Sequence, residues 1–302
     1  MSQICRAPRY QPSPAKPGAA VSLCLLGPQT IWVHSDACTP CEGMAEGAEM
    51  QKPFRLQPLG PVATIGVREG LVASVKENLE KVRERLARAA RRAGRSPEDV
   101  LLVAVSKTVP VERIREGVAA GLTVLGENRV QEAKEKIQAL GRVAVSWHLV
   151  GHLQTNKVKD ALALFDLIHS LDRLSLAEEL DRRAQAARGR ADVLVQVNVA
   201  EEASKGGFSP EELRPALETL SRLSGLRVRG LMAIPPEPQE LEDSRPHFKT
   251  MRTLFESARA WRLPGLELEA LSMGMSADFE VAIEEGATIV RVGTAIFGPR
   301  PA

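Results

Sequence analysis

The feature that most constrains this chain is an alternation of short apolar runs with amphipathic segments, unbroken from Val100 to Val292. The apolar runs Val100–Val105, Leu122–Gly126, Val145–Gly151, Leu167–Ser170, Val193–Val199, Val228–Ile234, Leu266–Ser272 and Thr288–Val292 read as strands. Between them Val111–Ala120, Arg129–Leu140, Gln154–Leu164, Leu174–Arg188, Pro210–Leu223, Ser244–Ala260 and Phe279–Glu285 read as helices. Leu101-Leu102-Val103-Ala104-Val105 is apolar at every position, the mark of a strand covered on both faces, as in a parallel sheet. Parallel neighbours need a crossover, and each gap holds a helix-length segment. The expected fold is therefore α/β, a (β/α)8 or TIM barrel. A doubly wound open sheet is the alternative. Its usual Gly-x-Gly-x-x-Gly turn after the first strand is absent, and Lys107 stands there instead.

Ahead of the alternation, Val72, Val75, Leu79, Val82, Leu86, Ala89 and Ala93 form one apolar face of a long helix ending at Gly94. Arginines 83, 85, 88, 91, 92 and 95 crowd the other face. With Glu77, Glu80 and Glu84 among them, this reads as a solvated surface rather than an interaction patch. Residues 1–66 differ in kind. They are rich in proline, hold no lasting period, and read as a disordered extension or a stretch outside the true reading frame. The barrel domain is expected over 67–302. All four cysteines fall by position 41, so the barrel is built without cross-links, which suits a cytoplasmic setting. Cys38-x-x-Cys41 has metal-ligand spacing but no second pair nearby, and Ala19–Leu26 is only faintly like a signal segment.

Composition excludes some partners. A net charge of +2 with 4% aromatic residues offers no basic, base-stacking face for nucleic acid. No apolar run approaches the roughly 20 residues that span a bilayer. The chain is expected to act as a monomer, away from membranes.

In a barrel, the residues after each strand converge on one mouth, where ligands bind. The first strand delivers Lys107, and an amine partly desolvated there could attack a carbonyl to form an imine. Equally, Lys107 could simply be the first solvated residue of a loop. The second strand brings Glu127 and Asn128, the third His148 with His152 beyond it, and the fifth Asn198. The seventh ends in Ser272-Met273-Gly274-Met275-Ser276 and the eighth in Arg291-Val292-Gly293-Thr294. Loops after strands seven and eight commonly hold phosphate. Ser272, Ser276 and Thr294 offer hydroxyls, Gly274 and Gly293 let backbone N–H groups approach an anion, and Ser276 is placed to cap the following helix. Turns use the same residues, so each cluster alone says little. Together, across the mouth from a lysine, they fit a ligand with a phosphate at one end and a carbonyl at the other, such as pyridoxal 5′-phosphate.

From Val72 to Pro299 the chain resembles the pyridoxal-phosphate homeostasis proteins, whose barrel is that of the alanine racemase N-terminal domain. The resemblance is carried by Val105-Ser106-Lys107-Thr108, Gly126-Glu127-Asn128, Trp147-His148-Leu149-Val150-Gly151, Leu153-Gln154-Thr155-Asn156-Lys157, Arg229-Gly230-Leu231-Met232-Ala233-Ile234-Pro235, Ser272-Met273-Gly274-Met275-Ser276 and Arg291 to Gly298. It implies that Lys107 holds pyridoxal 5′-phosphate as a Schiff base. It also implies that Ser272–Ser276, including Gly274 and Met275, and Gly293-Thr294 hold its phosphate, and that Arg291 faces the pyridine nitrogen. Asn128 and His148 complete the expected binding set. Arg129 departs from the tyrosine expected after Gly-Glu-Asn. An arginine at the pyridine nitrogen can only donate, so it weakens the ring as an electron sink. The chain has no tyrosine after Tyr10 to serve as a racemase base, although His148 or His152 could substitute. The expectation is a carrier acting in vitamin B6 homeostasis, with pyridoxal-phosphate-dependent enzymes as clients. A weak amino-acid racemase is the alternative. Lys157 and Lys205 compete with Lys107 for the imine, and Lys107 is favoured because a strand mounts it rigidly.

Overall fold

The computed structural model describes residues 74–141, 145–202 and 205–299. The readings of residues 1–66, of Ala19–Leu26, of Cys38 and Cys41, and of Val72 as the first residue of the helix lie outside that range. In chain order the elements are α1 (Val75–Arg92), β1 (Leu101–Val105), α2 (Val111–Ala119), β2 (Val124–Glu127), α3 (Val130–Leu140) and β3 (Ser146–Leu149). There follow α4 (Val158–Leu164), β4 (Leu167–Leu171), α5 (Leu174–Ala186), β5 (Ala191–Val197), α6 (Leu213–Leu220) and β6 (Leu226–Ala233). The chain closes with α7 (Arg245–Ala260), β7 (Ala270–Ser272), α8 (Phe279–Glu284), β8 (Ile289–Val292) and α9 (Thr294–Phe297). The strands form a closed barrel in sequence order, every pair parallel, with β8 back against β1 in the register Val103↔Arg291. Closure removes both free edges, so the open doubly wound sheet is not the fold.

The pleat divides each strand's side chains between two cores. Val103, Val124, Leu167, Leu194, Met232, Ala270 and Ile289 fill the barrel interior. Ala104, Leu125, Trp147, Ile168, Val195, Leu231, Leu271 and Val290 point outward against the helices. Both faces are buried, which is why β1 carries no polar alternation. The last interior positions before the mouth are polar, and they bring the site together.

Element ends differ from the sequence reading where tertiary contacts decide them. The expected strand Leu266–Ser272 shrinks to Ala270–Ser272. Its first half still bonds to β6, through Glu267 N–H to Val228 O and Glu269 N–H to Arg229 O, but irregularly. Regular pairing begins opposite Gly230, where a Cβ would lie 1.8 Å from Ala270 O, so the two backbones approach as only glycine allows. The arginine face of α1 is also less free than expected. Arg85 pairs with Glu280 and Arg92 with Glu284, each at 2.8 Å. Arg95 donates to Ile283 O and Ala287 O. These arginines fasten α1 to α8, whereas Arg88 and Arg91 remain on the outer side. Among the described residues, no helix is long and apolar enough to cross a membrane.

Candidate functional site

At the carboxyl ends of the strands lies a cavity of about 690 Å3. Of the residues expected at the site, Lys107, Asn128, Met275, Ser276, Arg291, Gly293 and Thr294 line it, together with His152, Asn198 and Lys205. His148, Ser272 and Gly274 are placed behind its wall rather than on it, and Lys157 does not reach it. Asn128 is seated by Gly151, whose missing Cβ would fall 2.4 Å from Asn128 O.

Lys107 is half-buried at the second position of a turn closed by Val109 N–H to Ser106 O, 3.0 Å. The third position, Thr108, has φ 61°, a left-handed backbone that turns of this kind usually give to glycine or asparagine. A buried ion cluster stands behind the turn. Lys136 Nζ donates to Ser106 O, Glu127 Oε1 and Glu132 Oε1 at 2.5, 2.8 and 2.7 Å. Ser106 Oγ donates to Glu127 Oε1 at 2.6 Å, and Thr108 N–H donates to Glu132 Oε1 at 2.5 Å. Burial pushes the Glu127 carboxyl up against the pull of Lys136 and Ser106. At Glu132 burial also pushes upward, but the bonds from Lys136 and the Thr108 amide outweigh it and hold the carboxyl low. Lys136 sits on the buried face of α3 beside Ala133 and Ile137, where a lysine is out of place unless paired.

Across the mouth, Arg291 is buried, and among the described residues no carboxylate pairs with it. Nη1 donates to Ser272 Oγ at 2.7 Å and Nη2 to Ala233 O at 2.8 Å. Burial pulls its pKa down to about 10, only partly offset by the charge of Asp278. From Ser272 a polar line runs through the barrel interior: Ser272 Oγ to His169 Nδ1 and His169 Nε2 to His148 Nδ1, each 3.0 Å. Because Arg291 donates to the Ser272 oxygen, the hydroxyl proton is left for His169 Nδ1. That assignment puts the His169 proton on Nε2, toward His148 Nδ1, and the His148 proton on Nε2. Among the described residues, the buried His148 Nε2 has no hydrogen-bond partner. Burial lowers the His148 pKa to about 4 against a small upward pull from Asp166. Burial, then the neighbouring His148 and Arg291, press that of His169 well down. Both rings are neutral near pH 7, and the line carries one positive charge, at its mouth end.

The loops after β7 and β8 interlock. Gly274 has φ 90°, its carbonyl accepts from Arg291 N–H, and a Cβ there would meet Ala282 Cβ at 2.5 Å. Gly274 therefore shapes the loop from behind. The expected cap of α8 by Ser276 is not formed. Asp278 occupies the N-cap position, and its carboxylate accepts from Met275 N–H and Ser244 Oγ instead. Ser276 Oγ turns the other way and accepts from Gly293 N–H at 3.2 Å and Ala295 N–H at 3.4 Å, at the start of α9. A hydroxyl oxygen thus rests on amides that can equally receive an anionic oxygen.

On the opposite wall, His152 Nδ1 meets Asp172 Oδ2 at 2.8 Å, and Arg173 Nη1 donates to Asp172 Oδ1 at 2.5 Å. Lys205 Nζ donates to Glu202 Oε1 at 3.1 Å, which ties it to its own loop. No group of metal-ligating side chains is assembled among the described residues.

The donor set fits pyridoxal 5′-phosphate. A primary amine and a buried guanidinium with spare N–H donors face one cavity with Ser276, Gly293 and Thr294, and the Ser276 hydroxyl is held there by the Gly293 and Ala295 amides. His169, Lys136 and Asp172 were not singled out from the sequence. Each left a trace there: a histidine in the apolar run Leu167–Leu171, a lysine on the apolar face of a helix, and an aspartate directly after a strand.

Comparison with known proteins agrees. Residues 77–301 match the family model of the alanine racemase N-terminal domain. The pyridoxal phosphate homeostasis protein of Aquifex aeolicus is 50% identical over 224 residues, 74% of this chain and 97% of that one. The protein of the same name from Escherichia coli K12 is 42% identical over 229 residues, 75% of this chain and 97% of that one. Among solved structures, PipY of Synechococcus elongatus with pyridoxal phosphate bound is 39% identical at TM-score 0.66, covering 74% of this chain and all of that one. Clostridium difficile alanine racemase, 18% identical at TM-score 0.58, shares the barrel over 76% of this chain and 57% of its own length.

Proposed function

The chain belongs to the pyridoxal phosphate homeostasis protein family, and from that premise we propose that it binds pyridoxal 5′-phosphate reversibly, through a Schiff base on Lys107, as a carrier in vitamin B6 homeostasis. The single observation that carries this reading is the cavity itself. Lys107, Arg291 and the Ser276–Gly293 pair, drawn from three strand ends, open into one space. When bound, the cofactor supplies an electrophilic aldehyde and a conjugated ring. The chain's own residues place and restrain it. Lys107 would offer the amine, Arg291 would donate toward the ring nitrogen, and Ser276, Thr294 and the Gly293 amide would receive the phosphate.

Holding outweighs catalysis for a physical reason. Arg291 stays protonated at neutral pH even with its pKa lowered to about 10, so it can only donate to the ring nitrogen. Placed against the ring nitrogen it would leave that nitrogen unprotonated and so make the ring a poor electron sink. His148, one substitute for a racemase base, points into the barrel interior and bonds to His169. His152, the other, does line the cavity, oriented by Asp172. Pyridoxal-phosphate-dependent enzymes are the clients that such a carrier would serve.

The test is a spectral titration of the purified protein with pyridoxal 5′-phosphate, alongside Lys107→Ala. The carrier reading expects a saturable Schiff-base absorbance that is absent in the variant, and no racemisation of free alanine. Racemisation at ordinary enzymatic rates, abolished by His152→Ala, would instead establish the racemase.

A further inference from the structure

Three charged side chains stand behind the Lys107 turn, and none of them reaches the cavity. We propose that Glu127, Lys136 and Glu132 are positioning residues for Lys107: a buried ion cluster that holds the Ser106–Val109 turn in its left-handed form and so fixes the direction in which the amine enters the site. This rests on the reading of Lys107 as the imine-forming lysine.

The geometry gives each member a task. Every hydrogen-bonding direction of the Lys136 ammonium is used, one on the turn's own carbonyl and two on carboxylates. Glu127, at the end of β2, reaches Ser106 from the neighbouring strand. Glu132, four residues before Lys136 on α3, takes the one N–H that a left-handed Thr108 presents. Bonds to Ser106 and Thr108 flank Lys107 on both sides, so its backbone is fixed where the residue lines the cavity. Thr108 is β-branched, and a β-branched residue persists at φ 61° only where its surroundings impose it. A buried ammonium with two carboxylates is a costly way to stabilise a fold, since apolar packing of equal volume commonly does as well. Its placement against the lysine turn gives that expense a function.

Glu132 is the residue to change, because it is partly exposed and its loss leaves the Glu127–Lys136 pair intact. The first readout is the rate at which pyridoxal 5′-phosphate is trapped on Lys107 by borohydride, mapped by mass spectrometry. The second is competitive acylation of Lys107 in the cofactor-free protein. Glu132→Ala is expected to slow both about tenfold, the scale on which a strained backbone conformer is released. Glu132→Gln keeps the acceptor for the Thr108 amide and is expected to stay within about threefold of wild type. Thr108→Gly accepts the left-handed backbone without strain and should restore most of the rate in the Glu132→Ala background. Thr108→Pro, at an exposed position, removes both the N–H and the positive φ while sparing every charge. It must lose reactivity even if Glu132→Ala fails to fold. Wild-type rates in Glu132→Ala or in Thr108→Pro overturn the proposal, as does a Gln variant as slow as the Ala variant. Absence of trapping on Lys107 in the wild type would instead overturn the carrier reading beneath it.

Discussion

The polar line through the barrel interior makes the stability of this protein depend on pH in a definite direction. His148 is buried, and its pKa falls from 6.5 to about 4. The folded ring is then neutral down to about pH 4, whereas in the unfolded chain it takes a proton below about 6.5. Between those values the unfolded state binds more protons, so stability falls as the pH falls through the window. Integrating one such site from pH 7 to pH 5 gives a loss of about 2 kcal/mol, with a limiting slope of about 1.4 kcal/mol per pH unit. His169, pressed down further by the same burial, acts in the same sense. The perturbation is His148→Asn, whose amide oxygen can accept from His169 Nε2 without titrating. The assay is chemical denaturation of both proteins at pH 7 and pH 5. The wild type should lose about 2 kcal/mol more than the variant over that interval, the exposed carboxylates cancelling between them. Parallel profiles would show that His148 is not held neutral and would refute the assigned proton order.

Other outcomes follow from single contacts. Gly230→Ala sets a Cβ 1.8 Å from Ala270 O and should cost about 3 kcal/mol or more, read as a collapsed denaturation midpoint; an unchanged midpoint contradicts the close approach of β6 and β7. Arg95→Ala strips the donors from Ile283 O and Ala287 O and should lower stability by about 1–3 kcal/mol by the same assay. Ser276→Ala removes a cavity-lining hydroxyl that is oriented by the Gly293 and Ala295 amides and whose proton can be donated to the phosphate, and it should weaken pyridoxal 5′-phosphate about tenfold in a binding titration. Binding of phosphate-free pyridoxal should not change, and an equal loss for both ligands would remove Ser276 from the phosphate end.

Much of this was legible in the sequence, because a parallel barrel writes itself plainly. Apolar runs such as Leu101–Val105 signal burial on both faces, and the polar residues that end them mark the mouth. Lys107, Arg291 and the Ser276 and Gly293 loops could be placed on that logic alone. What failed was direction along a strand. Its place near the end of an apolar run suggests His148 for the mouth, but it pairs with Gly126 on β2 and points inward with Leu167, below the cavity. Ser272 sits behind the wall in the same way and serves Arg291. The cap that Ser276 suggests for α8 is not made: Asp278 holds the N-cap position without a side-chain cap bond, and the Ser276 hydroxyl sits on the Gly293 and Ala295 amides. The cluster behind Lys107 was hidden for another reason. Glu127, Glu132 and Lys136 lie on two elements, and only the closure of α3 against β1 and β2 brings them to Ser106.

The central claim is that one amine, on the turn after β1, carries the cofactor, and the direct test is to find the modified residue. Purified protein is mixed with pyridoxal 5′-phosphate, reduced with borohydride, digested and mapped by mass spectrometry. The account predicts a phosphopyridoxyl group on Lys107, and its disappearance in Lys107→Ala without transfer to another site. A group on Lys205 or Lys157 in the wild type, or undiminished labelling after Lys107 is replaced, would contradict it.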